Sequence, residues 1–385
     1  MSRWLLPEGI ADVLPHEAAH IERLRRALLD LYCGHGYEQV MPPLVEYLDS
    51  LLTGTGRDLD LRTFKLVDQL SGRQLGLRAD ITPQTARIDA HILNRGGVVR
   101  LCYAGAVLHT RPAHPLAARE PLQVGAELYG FGGRAADAEI QQLAVQSLRL
   151  AGVSRVHVDL GHTGITRALL ADDPAAAARR DELLAALGAK DVPALRDLAQ
   201  PLAATTRTAL VALTRLHGAP AEVLAAARAQ LPPLQTITQA LDDLAWLAQR
   251  LPAERVTIDL SDLHGYRYYT GVNFAAYGAA PAALLRGGRY DDIGRAFGRA
   301  RPATGFSIDM RELTRGNGQP LRQAILAPAE DDVALEAEIA RLRASGEIVV
   351  QQLAADEAVD ADVATRELRR VDGHWQVVAR DGRAR

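Results

Sequence analysis

Apolar residues recur at helical spacing over residues 16–35, where Ile21, Leu24, Leu28, Leu31 and Tyr32 alternate with Arg and Glu until Gly34 and Gly36 end the pattern. The spacing predicts one long amphipathic helix. An apolar run follows at Tyr37–Met41 and is closed by Pro42-Pro43. Proline donates nothing to a ladder, so a strand here ends or lies at an edge. From about 75 to 131, LGLRADITPQ, VVRLCYAGAVL (98–108) and PLQVGAELYGF (121–131) each predict a strand. The last two flank HTRPAHPLAARE (109–120), whose prolines and charges suit the solvent-exposed loop of an antiparallel hairpin.

Helical spacing returns over 135–151. RVHVDLG (155–161) and RVTIDLS (255–261) alternate apolar and polar residues with period two, as half-buried strands do. Between them, residues 166–250 are rich in Ala and Leu and are broken by Pro174, Pro193, Pro201, Pro220 and Pro232-Pro233. That predicts a helical insertion inside a sheet domain. Strand patterns resume at YRYYTGVNFAAY (266–277), RGGRYDD (286–292) and TGFSIDM (304–310). After Glu312 the chain holds one strand–helix–strand pattern and a polar tail ending near HWQVVAR, a small α/β appendix.

Composition narrows the classes. A chain of 385 residues is too long for one ordinary core. Its 44 Lys+Arg against 47 Asp+Glu, net −3, argue against a surface built to neutralise phosphates. With 48% hydrophobic and 24% charged residues it should fold. No apolar run approaches the ~20 residues of a membrane span, and the first residues do not read as a leader, so the cytoplasm is the expected location. Cys33 and Cys102 lack C-x-x-C spacing and predict neither a disulfide nor a zinc site; both are expected in the core.

Nucleotide and metal motifs are missing. Gly130–Gly133 lacks G-x-G-x-x-G spacing, there is no P-loop or G-x-S-x-G elbow, and His157 and His162 have no third ligand nearby. Neither a cofactor nor a metal is expected. Polar residues inside predicted strands are the stronger signal: Arg78, Asp80 and Thr82 in one, Gln123 and Glu127 in another, Tyr268, Tyr269 and Tyr290 near a third. Gln123 and Glu127 are four apart and share a strand face with Gly125 between them. That face either leaves room for a ligand or meets solvent.

Seven segments in order carry a resemblance: PEGIADVLP (7–15), GYEQVMPPLVE (36–46), LRADITPQTAR (77–87), YAGAVLHTRP…REPLQVGAE (103–127), HGYRYYTG (264–271), GGRYDD (287–292) and RPATGFSIDM (301–310). Over residues 7–312 the chain resembles the catalytic domain of histidyl-tRNA synthetase. The resemblance implies an α+β fold, a class II aminoacyl-tRNA synthetase-like antiparallel sheet flanked by helices. It implies a synthetase-like domain in two parts, 1–165 and 251–315, around the insertion 166–250, with the C-terminal domain at 316–385. Pro43 would belong to the first, dimer-forming motif.

The resemblance breaks at the ATP site. The arginine that grips the α-phosphate in the family is His109, the glutamate after it Arg111, and a further loop arginine Ala117. The third motif's glutamate–arginine pair reads Arg311-Glu312, and in the histidine-specific signature arginine becomes His264 and aspartate Arg267. Arginine offers phosphate a permanent charge and a planar fork, which a mostly neutral imidazole cannot. A carboxylate beside a phosphate repels it by ~4 kcal/mol at ~4 Å. Adenylate formation is expected to be lost. The positions that implies for histidine are kept: Asp80, Thr82, Gln123, Glu127, Tyr268, Tyr269 and Tyr290.

This combination is similar to the synthetase-like regulatory subunits of ATP phosphoribosyltransferase in histidine biosynthesis. That family implies a non-catalytic chain, a homodimer partnered by a short-form catalytic subunit, with L-histidine as a feedback effector and no tRNA. The alternatives are an active histidyl-tRNA synthetase and a synthetase-like regulator of another partner.

Overall fold

The computed structural model describes residues 4–54, 57–112, 114, 117–315, 323–359 and 363–380. Residues 1–317 make one compact unit and 318–385 a second. The expected boundary at 316 falls outside the described residues.

In the first unit the helix Pro15–Gly34 starts at a proline and buries Ile21, Leu24, Leu28, Leu29 and Tyr32 along one face. Its last turn leaves Cys33 exposed, because the residue beside Tyr32 points off the buried stripe; only Cys102 is buried. β1 (Glu38–Gln39) is cut short ahead of the prolines. β2 (Val45–Tyr47), β3 (Phe64–Val67) and β4 (Gln74–Leu77) pair in the order β2-β4-β3. The strand expected through Asp80 and Thr82 ends at Leu77. Pro83 instead opens the helix Thr82–Arg87, and the Thr82 amide donates to Asp80 Oδ1 at 3.1 Å. Arg78 bonds backbone carbonyls, Ala106 at 2.8 Å and Pro42 at 2.7 Å.

β5 (Val99–Ala106), β6 (Leu122–Tyr129), β7 (His157–His162), β8 (His217–Gly218), β9 (Arg255–Asp259), β10 (Val272–Tyr277), β11 (Ala283–Arg289) and β12 (Ala303–Asp309) follow. Among the described residues they join β1 in one sheet, ordered β1-β5-β6-β12-β11-β10-β7-β9-β8. From β5 to β7 every pair is antiparallel. The outer pairs β1·β5 and β7·β9 are parallel. The insertion explains the second case: parallel neighbours need a crossover of a dozen or more residues, and the helices from Thr163 to Ala248 are that crossover. Their apolar faces, including Leu169, Leu210, Leu241 and Leu244, merge with Leu28, Leu143 and Phe306 in one core.

Of the loop expected to face solvent, Arg111 and Pro112 are exposed, but its described ends turn back onto the fold. The His109 amide donates to Arg119 O at 2.7 Å and the Arg119 amide to Gly9 O at 2.8 Å. This leaves His109 and Ala117 9% and 8% exposed.

In the second unit β13 (Ala324–Ala327), the helix Val333–Ala344 and β14 (Val349–Gln351) form the expected strand–helix–strand. The polar tail is a hairpin, β15 (Ala364–Val371) and β16 (His374–Ala379), extending the order β14-β13-β15-β16. Asp372 and Gly373 turn it with φ of 48° and 81°. Two consecutive left-handed residues match the right-handed twist of a two-residue hairpin, and Asp-Gly favours them.

Candidate functional site

A cavity of about 630 Å³ opens on one face of the large sheet. It is lined by Asp80, Thr82, Gln123, Glu127, Tyr268, Tyr269 and Tyr290, so all seven residues singled out for an amino acid converge. The start of the helix at Thr82 supplies two, β6 supplies Gln123 and Glu127 on one face, and the tyrosines come from the turn before β10 and the residue after β11.

Glu127 is 1% exposed. Thr82 Oγ1 and the Tyr103 hydroxyl each donate to its Oε1 at 3.0 Å, and the Tyr290 hydroxyl donates to Oε2. Burial outweighs these hydroxyls and pushes the carboxyl pKa up to about 8. At neutral pH Glu127 is therefore largely protonated. Asp80 Oδ1 accepts from Gln123 Nε2 at 2.8 Å, and Gln123 Oε1 from the Ile81 amide at 2.9 Å, which fixes the amide's orientation. Tyr268 stacks on Tyr290 with ring centres 5.0 Å apart and meets Tyr269 edge-on at 5.4 Å. The Tyr268 hydroxyl is buried without a partner among the described residues.

Tyr103 was not legible as a site residue, since a tyrosine in an apolar strand reads as core. It also takes the space beside Gly125 that appeared open to a ligand: a Cβ there would lie 2.4 Å from the Tyr103 hydroxyl. Arg62, His114 and Arg286 line the cavity too, and no local pattern announces them.

His109, Ala117, His264 and Glu312 also line the cavity, whereas Arg111 is exposed and does not. His109 Nε2 donates to Ala79 O at 2.9 Å, which leaves Nδ1 as a buried, unpartnered acceptor. Burial lowers the imidazole's pKa. Glu312 pairs with Arg315 at 3.0 Å and faces His114 at 3.8 Å. Arg311 turns away and donates to Ala11 O at 3.2 Å. Reversing two residues has placed a carboxylate on the cavity wall and its guanidinium outside. Such walls can accept an ammonium or an imidazole N–H at Glu127, and at His109, Ala117, His264 and Glu312 they offer no guanidinium to a bent triphosphate.

Sheet and cavity together define a histidyl-tRNA synthetase-like protein of class II architecture. The histidyl-tRNA synthetase family profile matches residues 9–313. A solved histidyl-tRNA synthetase from Nostoc sp. PCC 7120 shares the fold, at TM-score 0.74 and 16% identity over 98% of this chain and 97% of its own. The C-terminal unit separates the branches: residues 322–378 match the C-terminal domain of the ATP phosphoribosyltransferase subunit HisZ. ATP phosphoribosyltransferase regulatory subunits of Burkholderia lata and Burkholderia cenocepacia strain J2315 are each 58% identical over 99% of this chain and 100% of theirs. A Bacillus halodurans structure described as an ATP phosphoribosyltransferase regulatory subunit/histidyl-tRNA synthetase matches at TM-score 0.81 and 30% identity, covering 94% of this chain and 96% of its own. The chain belongs to the family of ATP phosphoribosyltransferase regulatory subunits.

Proposed function

We propose that the chain is the non-catalytic regulatory subunit of an ATP phosphoribosyltransferase, partnered by a short-form catalytic subunit in the first step of histidine biosynthesis, and that L-histidine in the cavity is its feedback effector. The carrying observation is Glu127, a buried carboxyl held by three hydroxyls in a cavity that has kept its amino-acid walls and lost its phosphate arginines. An imidazole or ammonium donor would pair with this carboxyl and favour its ionised form. Asp80, Thr82, Gln123, Tyr268, Tyr269 and Tyr290 complete the proposed pocket. The complex works in the cytoplasm without tRNA. Among the described residues no helix is long and apolar enough to cross a membrane.

Homodimerisation through the segment around Pro43 fits the surface there. Met41, Leu44, Val45 and Tyr47 are exposed, a concentration of apolar side chains that a second copy would cover. Mixing the purified chain with a short-form ATP phosphoribosyltransferase, and following elution volume and product formation with and without histidine, tests the proposal. Co-elution, activation and histidine inhibition are expected. Absence of co-elution at micromolar concentration overturns the partnership, and absence of a histidine effect overturns the feedback role.

A further inference from the structure

The cavity wall also carries two cations that no acid pairs with among the described residues. Arg62 ends the helix Arg57–Arg62, and Arg286 lies in β11. Among the described residues neither forms an ion pair, and Arg286 lies close enough to Tyr277 to counter the rise that burial gives its pKa. Their fields overlap, for both act on His264, while Arg62 also acts on His109 and Arg286 on Tyr269. Asp80 and Asp262 act on the same groups, yet neither pairs with Arg62 or Arg286. Asp80 Oδ1 holds Gln123, Asp309 caps the Arg311 amide at 2.9 Å, Asp262 accepts from the His264 amide at 2.9 Å, and Glu312 lies 3.0 Å from Arg315 although its Oε1 makes no hydrogen bond.

His109 does not compete for an anion. With Nε2–H committed to Ala79 O, the edge left is the Nδ1 lone pair, which repels an oxyanion and suits a donor. Two guanidiniums facing one concave space repel each other unless an anion bridges them, and a guanidinium's fork matches the paired oxygens of a carboxylate or a phosphate.

We infer that Arg62 and Arg286 form an oxyanion receptor on the wall of the cavity, so that the site takes a zwitterion: a cationic or N–H group against Glu127 and Asp80, and an oxyanion on the two arginines. This rests on the amino-acid reading of the cavity and deepens it. The oxyanion's source is the α-carboxylate of the amino acid or a separate phosphate.

The test is titration calorimetry of the full chain with L-histidine and with histamine, which lacks the carboxylate, in phosphate-free buffer. Wild type should prefer histidine by about tenfold or more. Arg286→Gln should erase most of that preference and leave histamine affinity within about threefold. Arg62→Gln, at an exposed helix end that tolerates substitution, should do the same and guards against misfolding of the strand variant. Added inorganic phosphate identifies the source. If it competes with histidine, the carboxylate occupies the arginines; if it strengthens histamine binding in wild type but not in the variants, a separate phosphate does. Equal affinity for histidine and histamine with no phosphate effect, or equal weakening of both ligands by the variants, overturns the receptor and leaves the pocket standing. Failure of both amines to bind overturns the amino-acid reading and the receptor with it.

Discussion

Gly305 faces Glu127 across the β12–β6 pair, and a Cβ at 305 would lie 1.5 Å from Glu127 Oε2. The carboxyl occupies the volume a side chain would fill on the neighbouring strand. Backbone closes the other side, since Ala126 O would lie 2.8 Å from the same Cβ. Gly305→Ala must therefore push Glu127 off the Tyr290 hydroxyl. Histidine affinity should drop by more than about tenfold, and overpacking of this kind costs about 1–3 kcal/mol. Calorimetry and urea denaturation read the two effects separately; unchanged binding would show that Glu127 is not the anchor.

Glu127 should also set a pH dependence. Its pKa of about 8 lies above the roughly 4.3 of an unfolded glutamate, so the folded chain holds a proton the unfolded chain releases. The stability it contributes is complete below about pH 4.3 and is lost as pH rises through about 8, with a slope of up to about 1.4 kcal/mol per unit. Across pH 5 to 8 the Tm of wild type should fall relative to Glu127→Gln. A cationic ligand favours the ionised carboxylate, so histidine affinity should rise over the same interval with release of a proton. Calorimetry in buffers of different ionisation enthalpy detects that proton, and parallel behaviour of wild type and variant would contradict the assignment.

Amino-acid activation should be absent. With His109 neutral and Glu312 on the wall, ATP–pyrophosphate exchange in the presence of histidine should not rise above blank. His109→Arg alone should not restore it, because the wall carboxylate remains and removing one such electrostatic group already costs enzymes 10²–10³ in rate. Exchange at an ordinary synthetase rate would remove the non-catalytic reading.

Excising the helices should not leave a smaller folded domain. Residues 163–250 are the crossover between parallel β7 and β9, and their apolar faces belong to the same core as the long N-terminal helix. A chain with this segment replaced by a short linker should lose the cooperative thermal transition, as circular dichroism can show. A sharp transition near the wild-type Tm would mean that the insertion folds apart from the sheet.

What could be read in advance follows from physical range. Period-two alternation in RVHVDLG and RVTIDLS is set by each residue's immediate neighbours, and both segments are strands. Their parallel pairing depends on where a long crossover returns, which periodicity does not carry. The alternation in LGLRADI predicts a strand through Asp80 and Thr82; Pro83 and the bond from the Thr82 amide to Asp80 override that preference. Asp372-Gly373 was a readable hairpin signal, masked by the polar residues around it. In the site, matching motif positions marked seven lining residues, but Arg62 and Arg286 on the cavity wall, and Tyr103 behind Glu127, became visible only once register and topology brought them together.

The hydroxyls that hold Glu127 lie 24, 45 and 163 positions from it along the chain. A site closed over such separations has a kinetic signature. Long-range contacts form late, after the loops between them have been closed, and Tyr290 joins only when β11 and β12 have docked. Interactions absent from the transition state act on escape from the native basin rather than on entry into it. Histidine should accordingly slow unfolding and leave the refolding rate nearly unchanged, so that the effector lengthens the lifetime of a finished subunit without helping a nascent one to form.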